Sequence, residues 1–258
     1  MAKIICIGNH KGGVGKTTVT ANLGALLSQM GQKVLLIDLD AQANLTDYFL
    51  PQRPEESVFN SITEEKDLPV IQIKERLYIV PSSLDMLDIE AKIADNIDRA
   101  ELLQILLEPI AANYDYILID CPPSLGIVTL NALIAATDLY ITLTAETIPV
   151  KGLKMLTDAM AKVQKRKNPS LKLSGIIINR WGGRNLNKDI ESSLRQKYGD
   201  IVFNTKIREN ISIAEAPSFL QDVASYAPGS HGAEDYKALT EEVISRTQGK
   251  QPSPSGTA

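Results

Sequence analysis

Asn9-His10-Lys11-Gly12-Gly13-Val14-Gly15-Lys16-Thr17-Thr18 is the stretch on which the reading of this chain turns. The apolar run Ile4-Ile5-Cys6-Ile7 precedes it, and Val19, Leu23, Leu26 and Leu27 follow at helical spacing. Strand, glycine-rich loop and amphipathic helix, in that order, build an anion site: glycines let backbone N–H groups turn inward, and the helix opens where the anion sits. In such a loop Lys16 bridges the β- and γ-phosphates of a nucleotide and the Thr17 hydroxyl ligates Mg²⁺. The backbone of Gly12, Gly13, Val14 and Gly15, with Thr18, completes the phosphate-binding set. The strict pattern G-x-x-x-x-G-K-[ST] is missed by one residue, because His10 stands five positions before Gly15 and a second lysine, Lys11, opens the loop.

Further along, the run 33–37 reads as a buried strand and ends in Asp38-Leu39-Asp40; the run 116–120, Tyr-Ile-Leu-Ile-Asp, ends in Asp120. Carboxylates at the C-terminal ends of parallel strands face the ligand crevice of an open α/β sheet. Asp40 is assigned to orient the attacking water and Asp38 to the magnesium shell through a water, although the residues alone leave these roles exchangeable. Asp120 is assigned to a Mg²⁺-bound water. The prolines of Cys121-Pro122-Pro123-Ser124-Leu125-Gly126 stiffen a loop placed to sense a γ-phosphate.

The remaining pattern predicts helices over 55–62, 82–97, 101–112, 151–167, 187–198 and 232–245. It predicts strands over 70–73, 77–80, 138–143, 173–178 and 201–207. The fold expected is α/β, a doubly wound, mostly parallel sheet with helices on both faces. With 258 residues, 44% hydrophobic and 22% charged, the chain suits one domain over 1–247. The Pro/Ser/Gly-rich stretch 248–258 is expected to be disordered. Cys6 and Cys121 lie in apolar surroundings without C-x-x-C spacing, which indicates reduced thiols of a cytoplasmic protein and neither a zinc site nor a disulfide framework. Neither a signal peptide before the first strand nor an apolar run of membrane-spanning length is apparent. The net charge is −4, yet Lys151 to Glu209 carries 14 lysines and arginines against 5 acids, a basic half on an acidic chain.

Lys-Gly-Gly-x-Gly-Lys-Thr, the two strand-terminal acid sites and Asp-x-Pro-Pro-Ser together resemble the ParA/MinD family of P-loop ATPases, over about residues 3–247. The resemblance implies an ATP- and Mg²⁺-dependent homodimer in which Lys11 reaches the partner's nucleotide and hydrolysis is slow until a partner protein stimulates it. It implies that Glu146 touches the nucleotide across the dimer and that Asn179 reads the adenine edge. Lys151 and Arg208 are further candidates for the nucleotide site. Lys151 stands where relatives tend to carry an acid, and Arg208 where they carry a proline. Arg184, with Lys165, Arg166 and Lys167, is the candidate DNA surface. Three departures bear on this: Ala41 replaces a proline, and Glu209 and Ser212 replace two arginines. The biological role implied is positioning of cargo on nucleoid DNA with a ParB- or McdB-like activator, the cargo being a partition complex or, as for McdA, a carboxysome. Two alternatives are weighed. MinD-like membrane cycling needs a basic amphipathic C-terminal helix that the tail lacks. A metabolic relative such as a dethiobiotin-synthetase-like ligase needs a substrate pocket that the sequence does not identify. A cytoplasmic, nucleoid-associated protein without membrane attachment is therefore expected.

Overall fold

In the computed structural model, which describes residues 2–145 and 150–248 except for the side chains of Val150 and Lys151, apolar residues alternate along each strand between two cores. Strand β1 (Lys3–Gly8) sends Ile5 and Ile7 to one face and Cys6 to the other. Strand β2 (Val34–Asp38) divides Val34 and Leu36 from Leu35 and Ile37. A strand buried on both faces needs no polar alternation, which is why these runs read as continuous hydrophobic stretches.

The other strands are β3 (Ile71–Lys74), β4 (Leu77–Val80), β5 (Tyr116–Asp120), β6 (Asp138–Thr144), β7 (Lys172–Trp181) and β8 (Val202–Arg208). They form one sheet in the order β3-β4-β2-β5-β1-β6-β7-β8, parallel throughout except for the β3–β4 edge pair. The helices are α1 (Lys16–Gln29), α2 (Asn44–Phe49), α3 (Val58–Glu64), α4 (Ile89–Lys92), α5 (Leu102–Leu107), α6 (Ile127–Ala135), α7 (Val150–Arg166), α8 (Asn185–Tyr198), α9 (Ile211–Glu215), α10 (Val223–Tyr226) and α11 (His231–Thr247). Residues of α1 and α11 fill the core on one face, and those of α5, α6, α7 and α8 the core on the other. This is the doubly wound architecture expected. It brings the C-terminal ends of β1, β2 and β5 side by side, with Ile7 opposite Asp120 and Asp38 opposite Asp120.

Two expected helices are shorter than the pattern suggested. Over 82–97 there is a 3₁₀ turn, Leu84–Leu87, and then the single turn of α4. Side-chain acceptors compete for the backbone here: Asn96 Oδ1 takes the Asp98 N–H at 2.8 Å. The helix expected over 101–112 stops at Leu107, two residues before Pro109, which cannot donate to it. Strand β7 runs on through Asn179 to Trp181. Cys6 and Cys121 are buried free thiols with Sγ atoms 3.3 Å apart. The tail beyond Gln248 and Glu146 lie outside the described residues. No helix among the described residues is long and apolar enough to cross a membrane.

Gly175 makes the β7–β8 packing possible. A Cβ built there lies 2.4 Å from a ring carbon of Phe203 and 2.9 Å from one of Tyr140, two rings that meet edge to face with centroids 5.3 Å apart. Gly175→Ala is therefore expected to destabilise the fold by about 1–3 kcal/mol, the range for overpacking a filled core. A lowered urea midpoint with an unchanged slope would register it; an unshifted midpoint would show that the rings can move aside.

Candidate functional site

The loop between β1 and α1 is held by an asparagine that the sequence reading passed over. Asn9, almost wholly buried, donates from Nδ2 to the Thr142 carbonyl at 2.5 Å and accepts the Lys11 N–H on Oδ1 at 3.0 Å. The start of the loop is thus tied to β6 while Lys11 stays exposed at its mouth. The signal was present in sequence as an Asx residue two positions before Lys11. Gly15 has φ of 89°, the left-handed region, and a Cβ there would stand 2.7 Å from Asn179 Nδ2, so both conformation and space require glycine. Lys16, at the first position of α1, is buried in the cleft and makes no ion pair among the described residues.

The acids at the strand ends separate into two kinds. Asp120 accepts the Thr17 hydroxyl on Oδ2 at 2.6 Å, while its buried Oδ1 has no partner. Asp38 is fully buried and fully engaged: Oδ1 takes the Asp40 N–H at 3.1 Å, and Oδ2 takes both the Thr46 N–H and the Thr46 hydroxyl at 2.8 Å. The Thr46 hydroxyl oxygen in turn accepts the Ser82 N–H at 2.9 Å. Asp38 therefore clasps the 39–46 loop to the sheet and is absent from the cleft wall, which revises its expected place in the magnesium shell. Thr46, invisible to the sequence reading, is the other half of the clasp. Asp40 does line the cleft, steadied by the Gln42 N–H on its Oδ1 at 3.0 Å.

Burial pushes the Asp38 carboxyl up to about 6 even against its hydrogen bonds from Thr46. Burial and then the neighbouring Asp38 charge raise Asp120 well above the ordinary carboxylate range. Adjacent buried carboxylates favour a cation beside them. The residues fit Mg²⁺ with a nucleotide: an orphaned carboxylate oxygen on Asp120, a hydroxyl on Thr17, and no cluster of three His, Cys, Asp or Glu among the described residues to form an all-protein cage. Magnesium characteristically takes one or two protein oxygens and completes its shell with phosphate and water.

The cleft measures about 800 Å³ and is walled by the phosphate loop, Asp40, Pro123, Asn179 and the segment from Ile207 to Ala214. Asn179 donates from Nδ2 to the Val14 carbonyl at 2.8 Å, which leaves its buried Oδ1 without a partner. An amide fixed that way presents an acceptor, suited to the exocyclic amine of adenine and unsuited to the carbonyl of guanine. Arg208 stands on the cleft wall, yet its guanidinium is committed to α11: Nη2 lies 2.7 Å from Asp235 and 3.0 Å from Glu234. Its expected contact with nucleotide is replaced by a role in buttressing the wall. The side chain of Lys151 and the whole of Glu146 fall outside what is described.

The basic candidates lie on helices that share one face of the sheet. Lys165 and Arg166, in the last turn of α7, and Arg184, capping α8, are exposed without ion pairs among the described residues, while Lys167 pairs with Glu101.

A phosphate loop on β1, acids at the ends of β2 and β5 and an acceptor amide on β7 define a P-loop nucleotide-binding protein. A family model described as an AAA domain matches residues 2–173. The chain is 37% identical over 249 residues to the sporulation initiation inhibitor protein Soj of Bacillus subtilis, covering 94% of this chain and 98% of Soj. The solved structure of cobyrinic acid a,c-diamide synthase from Mycobacterium smegmatis with bound ATP analogue and magnesium is similar over 99% of this chain and 100% of that one, with TM-score 0.86 and 28% identity. The septum site-determining protein MinD of Pyrococcus horikoshii, complexed with Mg-ADP, is similar over 98% and 100%, with TM-score 0.74 and 29% identity. The chain belongs to the ParA/MinD family of P-loop ATPases. Its cofactors are ATP and Mg²⁺.

Proposed function

We propose that this chain is a single-domain ATPase switch that dimerises around ATP and positions intracellular cargo using nucleoid DNA as its scaffold. The observation that carries the reading is the pair of loop lysines in different settings: Lys16 buried against the strand-end acids, Lys11 exposed at the mouth with its backbone pinned by Asn9. A buried lysine serves the nucleotide of its own subunit, and an exposed one is free to serve a second copy. Thr17 and Asp120 hold the metal side of the site, and Asn179 accepts from adenine. Mg²⁺, when bound, draws charge off the phosphate oxygens. Asp40 orients the attacking water, and Lys16 and the partner's Lys11 counter the charge that grows on the γ-phosphoryl group. Turnover is slow because Asp40 sits on a loop that must be set in place, and a cargo-bound activator sets it.

The unpaired cations of α7 and α8 support the DNA scaffold, and Glu209 and Ser212 weaken the support in the next loop. Kinship with Soj over nearly the whole chain favours a partition complex as cargo over the McdA-type carboxysome or a metabolic substrate. The test is retention on random-sequence DNA with ATP and Mg²⁺, compared with ADP. Retention should require ATP and fall steeply with added salt, because phosphate contacts release counterions. Absence of retention at low salt would remove the nucleoid scaffold and leave the ATPase without it.

A further inference from the structure

Residues 84–101 form the most one-sided stretch of the surface. They carry six acids against Lys92 and Arg99. Asp85, Asp88, Glu90, Asp95 and Asp98 are all exposed and make no ion pair among the described residues; Glu101 alone has a cation, Lys167. Among these charges Leu84, Leu87 and Ile97 stand 59%, 66% and 97% exposed. Beside them, between α4 and the start of α6, runs a groove of about 260 Å³ with Ile93, Leu125, Ile127 and Leu130 in its lining and Glu90 and Arg99 at its rim.

The groove is joined mechanically to the nucleotide site. Asn131, buried in α6, accepts the Leu103 N–H at 3.0 Å and donates to the carbonyls of Arg99 at 2.7 Å and Ile127 at 3.0 Å, which locks both walls together. The Thr129 hydroxyl donates to the Ser124 carbonyl at 2.5 Å. Ser124 follows Pro123, which lines the ATP cleft.

Charge selects the occupant. DNA and an anionic membrane are repelled by five uncompensated carboxylates. A symmetric contact with a second copy would set the same acids against themselves. We propose that this groove docks a basic amphipathic peptide segment of a partner protein, with an aliphatic side chain in the groove and lysines or arginines against Asp88 and Glu90, and that docking moves the Pro122–Gly126 loop. The first part stands without the ATPase reading; the effect on turnover rests on it.

The test uses the full chain with Mg-ATP and a labelled synthetic twelve-residue peptide of lysine, arginine and leucine with leucines at helical spacing, followed by fluorescence anisotropy at near-physiological salt. A control peptide has the same composition in scrambled order. Binding to the wild type is expected, at least tenfold weaker for the scrambled peptide, for Asp88→Lys with Glu90→Lys, and for Leu87→Gln with Ile97→Gln. Both double variants lie on the surface and should keep the wild-type unfolding midpoint and basal ATP turnover. The patterned peptide should raise turnover several-fold in the wild type alone. No binding, equal binding of the scrambled peptide, or undiminished binding to the charge-reversed variant would each overturn the proposal. Loss of ATP-dependent self-association in Leu87→Gln with Ile97→Gln would overturn it too, by making the face a contact between copies. Peptide binding with the expected losses in a chain that hydrolyses no ATP would keep the docking groove and defeat the switch reading instead.

Discussion

Asp40→Ala is expected to lower ATP turnover by about 10²–10³-fold, the contribution of a positioned group that handles the nucleophile, while Mg-ATP affinity stays within a few-fold. The two acids at the end of β2 were interchangeable in sequence and are not so in space. Asp38 has every polar neighbour it can use and lies at 0% exposure. Asp40 is partly exposed, lines the cleft, and is restrained through its Oδ1 by one backbone N–H. A carboxylate with free acceptor capacity in the cleft wall is the one that can hold a water. Asp40→Asn should behave like the alanine variant, because an amide of the same shape lacks the charge. Single-turnover phosphate release alongside nucleotide titration separates the two effects. Undiminished release from Asp40→Ala would transfer the water-orienting role elsewhere, and affinity falling in step with turnover would make Asp40 a binding group.

The parts legible in sequence were those in which neighbouring residues form the site. The phosphate loop lies within ten residues, so its glycines, lysines and threonines declare themselves, and strands buried on both faces announce themselves as apolar runs closed by an acid. Contacts made across the chain were not legible. The partner that fixes Asp38 is Thr46, eight residues away on the far side of a loop, and the one that fixes Asn179 is the Val14 carbonyl, 165 residues away. Nothing in local pattern distinguishes an aspartate that will be clasped from one that will face solvent. Helix α6 was missed for a different reason: Ile-Val-Thr-Leu-Asn-Ala-Leu-Ile-Ala is apolar nearly all round, so it has little helical periodicity to detect. The helix expected over 82–97 failed for the converse reason. Its apolar spacing was helical, but Asp85, Asp88, Asp95 and Asn96 supply side-chain acceptors that favour turns, and the structure follows the turns.

Lys11→Ala is expected to leave the monomer able to bind Mg-ATP and to weaken ATP-dependent dimerisation by about 10²-fold, the scale of removing one member of a desolvated charge pair. The argument turns on the contrast with Lys16. Lys16 sits inside the loop beside Asp120, so its loss removes charge from the nucleotide's own subunit and should abolish binding outright. Lys11 is exposed, and the Asn9 hydrogen bond orders only its backbone N–H. Nothing in its own subunit among the described residues takes up its ammonium group, so a wild-type monomer gains little from it. Enclosed against a second subunit's phosphates, the same charge is desolvated and becomes a strong contact. Lys11→Arg should restore part of the dimer, since the charge is kept and only its geometry changes. Sedimentation velocity with ATP and Mg²⁺, run on wild type and both variants, decides the matter. A wild type that stays monomeric when saturated with ATP would show that Lys11 has no second subunit to reach, and the dimer-gated switch would fall with it.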